Sequence, residues 1–305
     1  MSKLSGINGL DIQRDYISAA QVDLSDNSVQ QITIQPLSVS DDEGSYWEAV
    51  SGELKSLKKK YRFSRAEVAC SIPSNLSVIK VLEVESDERE QHSILRFELS
   101  ANLMGPIEDY VFDFYEVAPG LQTDYRRYLA AAVRKESVAK LRKAVKGVKL
   151  SPVIMDLDLF CLTNVFAVNY RERLSDASIL VHGESLRTKM VLVNNNSFVD
   201  YAIVDFEADA DNKAEYVKML AAQIAHLSAE NSGVMSGEAS VYLAGSLFSN
   251  SQFAAALLNG VSRCELLNPF RNLTCTAAID EEQLKTYSSQ LAVAVGLALR
   301  GDESR

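Results

Sequence analysis

Apolar residues along the chain gather into two similar stretches of short runs. Residues 177–206 (ASILVHGESLRTKMVLVNNNSFVDYAIVDF) read as strands at 178–181 and 189–193, a polar turn at 194–196 and a third strand at 199–206. Strand-forming residues in short runs, broken by Gly183 and an Asn cluster, signal an antiparallel meander. Residues 7–34 (INGLDIQRDYISAAQVDLSDNSVQQITI) run in the same order: strand, polar break, strand, polar turn at 25–27, strand. The meanders lie about 170 residues apart and each is followed by helix and strand patterns, so a duplicated α/β half-domain is expected.

After the first meander, 36–44 reads as a polar linker. Trp47, Val50, Leu54, Leu57 and Tyr61 then form one apolar stripe at steps of three and four, a helix with Trp47 assigned to its core face. Strands are expected at 66–72, stopped by Pro73, and at 78–84. A helix over 88–104 closes at Gly105-Pro106, and 110–117 alternates as a half-buried strand. A strand at 126–133 leads into a helix at 135–146, and one at 152–156 into a helix at 157–170. The second half repeats the alternation, with a helix over 212–229 whose stripe is Tyr216, Leu220, Ile224 and Leu227, then a loop at 233–237 and a strand at 240–244. Gly245-Ser246 turns into a helix at 252–258, and Asn268-Pro269 marks a turn. The last helix, 284–299, is rich in Ala and Val with Gly296 inside, which suits tight packing on a sheet; the tail from 301 is polar and expected to fray.

Length and composition narrow the class. A chain of 305 residues suggests two domains, and 47% hydrophobic with 24% charged residues fits a folded soluble protein. A net charge of −10 argues against a nucleic-acid partner, which needs a basic face. The basic runs at 58–60 and 140–149 read as solvated faces at helix ends, where cations oppose the helix dipole. Neither a 20-residue apolar stretch nor a signal-peptide core is apparent, so no direct membrane insertion is expected. Cys70, Cys161, Cys264 and Cys275 are far apart with no CxxC pair, which points to buried free thiols in a reducing cytoplasm and to no metal cluster. HExxH, Walker A and GxGxxG signatures are absent. His92 and His226 fall on helices as surface residues, and His182 with Ser185 on one tight turn lacks the geometry of a nucleophile and its base.

GLDI at 9–12, SIP at 71–73, VIMDLDLFCLTNVF at 153–166, NPF at 268–270 and AVAVGLALR at 292–300 together resemble the PilM family of type IV pilus assembly proteins. That family is related to the cytoplasmic domain of the type II secretion GspL proteins and, more distantly, to FtsA. The resemblance implies an α/β class and a duplicated actin-like (ribonuclease H-like) two-lobed fold. The halves would span 1–170 and 171–305, with a small subdomain inserted in the first half at about 74–148. It also implies a cytoplasmic scaffold, peripheral at the inner face of the cytoplasmic membrane. Its partners would be the N-terminal cytoplasmic tail of a PilN-like bitopic membrane protein, received between the first-half core and the insertion, and pilus assembly platform proteins.

Many members of the family bind ATP between the halves, so the resemblance also names a cleft. Such a site wraps phosphates in the backbone N–H groups of two hairpin turns and holds Mg²⁺ through carboxylates. In the first turn Asp11 keeps the carboxylate, but Gln13, Arg14 and Asp15 stand where Gly and Ser or Thr are expected, with Arg14 as a substitute phosphate donor. In the second, His182 replaces an aspartate and Glu184 adds negative charge, while Gly183, Ser185 and Thr188 survive. The late Gly-Gly pair reads Gly245-Ser246, and Asp156 is either an acidic site residue or a helix-start carboxylate. The expectation is a non-enzymatic scaffold with a degenerate nucleotide cleft, with ATP and Mg²⁺ left open as ligands. The alternative is a slowly hydrolysing ATPase that uses Asp11, Asp156, Gly183, Ser185 and Gly245. A sugar- or acetate-kinase relative is disfavoured, because the chain is short and its phosphate turns lack Gly and Thr.

Overall fold

The computed structural model describes residues 6–38, 43–85, 91–117, 125–209, 211–276, 279 and 281–300. The elements, in chain order, are β1 (Asn8–Ile12), β2 (Tyr16–Asp23), β3 (Ser28–Pro36), α1 (Glu43–Lys60), β4 (Glu67–Ile72), β5 (Ser77–Glu85), α2 (Gln91–Ser100), β6 (Tyr110–Val117), β7 (Tyr125–Arg134) and α3 (Lys135–Gly147). They continue with β8 (Ser151–Leu157), α4 (Asp158–Asn169), β9 (Ser178–Gly183), β10 (Arg187–Asn194), β11 (Ser197–Asp205), α5 (Lys213–Glu230), β12 (Ser240–Ala244), α6 (Ser251–Gly260), β13 (Cys264–Leu266), β14 (Thr274–Cys275) and α7 (Glu281–Leu299). The chain divides into two compact units, one of residues 1–72 with 143–305 and one of 73–142.

The first unit holds two sheets of the same design. One has the order β14-β3-β2-β1-β4-β8 and the other β11-β10-β9-β12-β13. In each, an antiparallel meander supplies three strands, its first strand pairs in parallel with a later strand, and that strand pairs in parallel with one more. The repeat extends to a detail. The ladder shifts between Gln21 and Val22 in β2 and between Leu192 and Val193 in β10, at the seventh residue of each strand. A bulge adds twist where it sits, so both meanders curl at one equivalent point. Their far turns use Asn27, Asn195 and Asn196 at positive φ, which Asn tolerates better than most residues. β1, β2 and β9 are buried throughout, as expected for strands with neighbours on both sides.

The motifs that carry the family resemblance meet in this unit as packing. A Cβ on Gly9 would stand 1.9 Å from the Ala294 carbonyl oxygen, so α7 lies directly against the backbone of β1. A Cβ on Gly296 would stand 2.0 Å from the Cys161 carbonyl oxygen, which brings α7 equally close to α4. Gly296 therefore seats the helix on a helix and not, as its sequence suggests, on a sheet; Gly9 does that from the strand side. Ser71 donates to Asp11 at 2.6 Å and accepts from the Ile12 amide at 3.1 Å, holding β4 to β1. The NPF turn is tied to the end of α4: Asn169 donates to the Pro269 carbonyl at 3.0 Å and accepts from the Asn272 amide at 2.8 Å.

The second unit is the three-stranded antiparallel sheet β5-β7-β6 with α2 on one face. Leu99, Ile107, Tyr110, Ala130 and Ala132 form its core, with Phe112 and Phe114 packed against them.

Several details depart from expectation. β13 and β14 form where the sequence marks only a turn, and at three and two residues they are too short for alternation to register. The helix expected over 88–104 is formed from Gln91 to Ser100 and gives way to turns; 88–90, together with 39–42 of the linker and the tail from 301, lie outside the described residues. Val50, Leu54, Leu57 and Tyr61 of the α1 stripe are buried, but Trp47 is half-buried, edge-on to Tyr46 at 5.1 Å. Cys70 and Cys161 are buried, whereas Cys264 and Cys275 are only partly so, because the short outer strands cover them poorly.

The close approach of α7 makes a test. Gly9→Ala and Gly296→Ala should each lower unfolding free energy by about 3 kcal/mol or more, since a backbone atom cannot move aside as a side chain would. Gly52→Ala in α1 meets nothing within 4 Å and should raise it by about 0.5–1 kcal/mol. Urea denaturation of the three variants separates the cases.

Candidate functional site

Where the two meanders approach each other, the first unit buries a cluster of ionisable side chains. Lys189, on β10 opposite His182 of β9, is 1% exposed. Its Nζ donates to Asp158 Oδ2 at 2.6 Å, to Glu184 Oε1 at 2.5 Å and to Gln13 Oε1 at 3.4 Å. Asp158, fully buried, opens α4, and Glu184 follows β9 in the hairpin turn. His182 places Nδ1 3.3 Å from Glu184 Oε1 and Nε2 3.3 Å from the Tyr16 hydroxyl on β2. At the end of β1, Asp11 Oδ1 accepts from Ser71 at 2.6 Å and from Gln13 Nε2 at 2.7 Å, while its buried Oδ2 has no hydrogen-bond partner.

The electrostatics follow from burial and partner choice. Burial alone would raise the Glu184 carboxyl, but Lys189 and His182 outweigh it and hold Glu184 down to about 2. Burial would likewise lower the Lys189 ammonium, yet Asp158 and Glu184 hold it above its ordinary value. Asp11 has no such cation in contact, and desolvation pushes its carboxyl up from 3.8 to about 6. Desolvation also raises Asp15, against the opposing hydrogen bond from Ser246.

The residues singled out from sequence are placed as follows. Asp11, Gln13 and Glu184 join the buried cluster, and Arg14 and Ser185 sit half-buried in the two turns. Ser246 donates to Asp15 Oδ2 at 2.6 Å, a direct link from the late glycine turn to the first hairpin. Asp156 forms an ion pair with Arg300 at 2.5 Å; two residues on, Asp158 is the carboxylate that meets Lys189. Gly183 and Gly245 pack on each other. A Cβ on Gly245, at φ +102°, would fall 2.3 Å from the Gly183 carbonyl oxygen, and one on Gly183 2.7 Å from the Phe248 ring. The Gln13 amide donates to the Tyr16 carbonyl and the Glu184 amide to the Arg187 carbonyl, so both amides are used within their own hairpins. A cavity of about 400 Å³ opens near Asp15, but its lining comes from β2, β3 and α7 and includes nothing from the second meander.

Sequence reasoning missed Lys189 and Asp158. A lysine inside the apolar run TKMVLV was the available signal, since a charge on a strand buried at nearly every position requires a partner.

Solved structures similar to the chain define its class. It resembles the PilM-PilN type IV pilus biogenesis complex at 21% identity, with 98% of this chain and 99% of that chain covered and a TM-score of 0.78. It also resembles a Bacteroides thetaiotaomicron protein with an actin-like ATPase fold and unknown function, at 12% identity, 88% and 92% coverage and a TM-score of 0.52. A third is the ethanolamine utilization protein EutJ of Carboxydothermus hydrogenoformans, at 10% identity, 96% and 89% coverage and a TM-score of 0.52. The fold is the actin-like ATPase fold, in its duplicated α/β form with an insertion. The family model of the type IV pilus assembly protein PilM matches residues 9–197, and the chain belongs to that family. Comparison with curated proteins gives no match.

Two outcomes test the cluster. Lys189→Met should cost about 3–5 kcal/mol of stability by leaving buried carboxylates unpaired, and adding Glu184→Gln and Asp158→Asn should restore most of it. The pH dependence has two windows of opposite sign. Asp11 stays protonated in the fold up to about 6 but ionises near 3.8 when unfolded. Stability should therefore fall by about 2 kcal/mol as pH rises from 4 to 6, and Asp11→Asn should abolish that slope. Glu184, held near 2, contributes stability that is lost as pH falls from about 4.5 toward 2. Urea midpoints measured across pH 2 to 7 read both.

Proposed function

We propose that this PilM-family protein is a non-enzymatic cytoplasmic scaffold of a type IV pilus or type II secretion-like assembly platform, with a degenerate nucleotide cleft. It works at the inner face of the cytoplasmic membrane by binding the N-terminal tail of a PilN-like bitopic protein, and it contacts other platform proteins. The proposed organisation is an actin-like half at 1–170 carrying the insertion at about 74–148, followed by a second half at 171–305.

The observation that carries the loss of nucleotide chemistry is the Lys189 ammonium, held by Asp158 and Glu184 between the turns that would cradle phosphate. A nucleoside triphosphate does not fit these residues. Asp158, Glu184 and Asp15 together outweigh the charge of Lys189 and would repel phosphate, the turn amides of Gln13 and Glu184 are spent inside their hairpins, and Gly183 is held by packing against Phe248. Supporting the scaffold is membership of the PilM family together with likeness to a fold solved in a complex of PilM with PilN. Among the described residues no helix is long and apolar enough to cross a membrane. Asp11 Oδ2, buried with no hydrogen-bond partner, is the one observation that favours the alternative, an ATP-binding and slowly hydrolysing protein.

Calorimetric titration with Mg-ATP decides between them. The expected outcome is no heat up to millimolar ATP from folded protein; micromolar binding, lost in both Gly183→Asp and Asp11→Ala, would establish the alternative. For the partner, cytoplasmic N-terminal peptides of bitopic proteins encoded nearby are titrated in the same cell. At least one should bind, and silence from all of them would remove the partner assignment.

A further inference from the structure

The chain carries a net charge of −10, but its cations are unevenly spent. Arg96, Arg126, Arg127, Arg173, Arg187 and Arg271 each stand within ion-pair distance of a carboxylate. At the adjoining ends of α1 and α3 the balance reverses. Residues 54–66 and 143–150 contain nine Lys or Arg and no Asp or Glu. Lys55, Lys59, Arg62, Lys143, Lys146 and Lys149 are exposed and form no ion pair among the described residues. Both segments belong to the first unit and are stitched together: Lys58 donates to the Val148 carbonyl at 2.5 Å, and the Ser151 amide to the Ala66 carbonyl at 2.7 Å.

We infer that this lysine-rich end of the first unit is a docking face for the headgroup phosphates of an anionic lipid bilayer. Helix dipoles account for cations in the last turn of a helix, which covers Lys58 to Lys60 and Lys146 but not Lys55, Arg62 or Lys149. Protein interfaces are built on aromatic and Arg anchors and are depleted in Lys, and none of the large exposed apolar side chains lies on these segments. Lysine is a compact charge on a flexible stem that needs no fixed partner geometry, which suits a layer of mobile phosphates. The inference extends the membrane-side location proposed above. Its test uses the protein without partner peptide, so the two can fail separately.

The full chain is sedimented with mixed phosphatidylglycerol–phosphatidylcholine vesicles and with phosphatidylcholine vesicles at physiological salt. Binding to the anionic vesicles alone is expected. Each neutralised lysine should weaken it about fivefold, so Lys59→Gln, Lys146→Gln and Lys149→Gln combined should lose on the order of a hundredfold, while the matching Arg variant keeps it. Thermal melting of both variants confirms the fold. Equal binding to both vesicles, no binding to either, or capture by polyglutamate in preference to vesicles (an acidic protein partner) would overturn the inference.

Discussion

An ammonium group with almost no solvent contact is the constraint around which the larger unit is arranged. Taking Lys189 out of water costs several kcal/mol for that ion alone, and the cost is offset only where opposite charges and acceptors surround it closely. Those groups come from separate places: Glu184 from its own hairpin, Asp158 from the start of α4 and Gln13 from the first hairpin. Satisfying one lysine therefore fixes the register of β9 and β10, the start of α4 and the position of the first turn together. Tyr16 with His182 and Asp15 with Ser246 add links between the same parts. The joint between the two meanders is thus held by an ion of the chain's own.

The fate of the family motifs separates packing from chemistry. Gly9 of GLDI and Gly296 of AVAVGLALR admit α7 to the backbones of β1 and α4. Asn169 donates to the proline carbonyl of NPF, and the serine of SIP binds Asp11. Each is explained by contacts within the fold, with no reference to nucleotide. Gln13, Asp15, His182 and Glu184, which the proposed reading sets toward phosphate, are engaged instead with Asp11, Ser246, Tyr16 and Lys189.

Much of the fold was legible because each element announces itself locally. Both meanders, the α1 and α5 stripes and the strand of 66–72 follow from period and punctuation. The two shortest strands did not, since β13 and β14 exist only by pairing with β12 and β3. The site was legible in part. Asp11, Gln13 and Glu184 were placed beside the cleft, but Glu184 was read as a bare charge when its partner lies five residues on in β10. Asp156 was singled out and Asp158 was not, because strand-to-helix spacing does not reveal which of two nearby carboxylates meets Lys189 and which meets Arg300.

The seat of α7 on β1 joins segments that are far apart in sequence. β1 ends at Ile12 and α7 starts at Glu281, so the first sheet cannot close its core until α7 has left the ribosome. Contacts this distant in sequence form slowly, and until then β1 and β2 would expose the apolar face that α7 covers. The nascent chain is thus vulnerable to aggregation until α7 emerges, and loss of α7 harms folding far more than its length suggests.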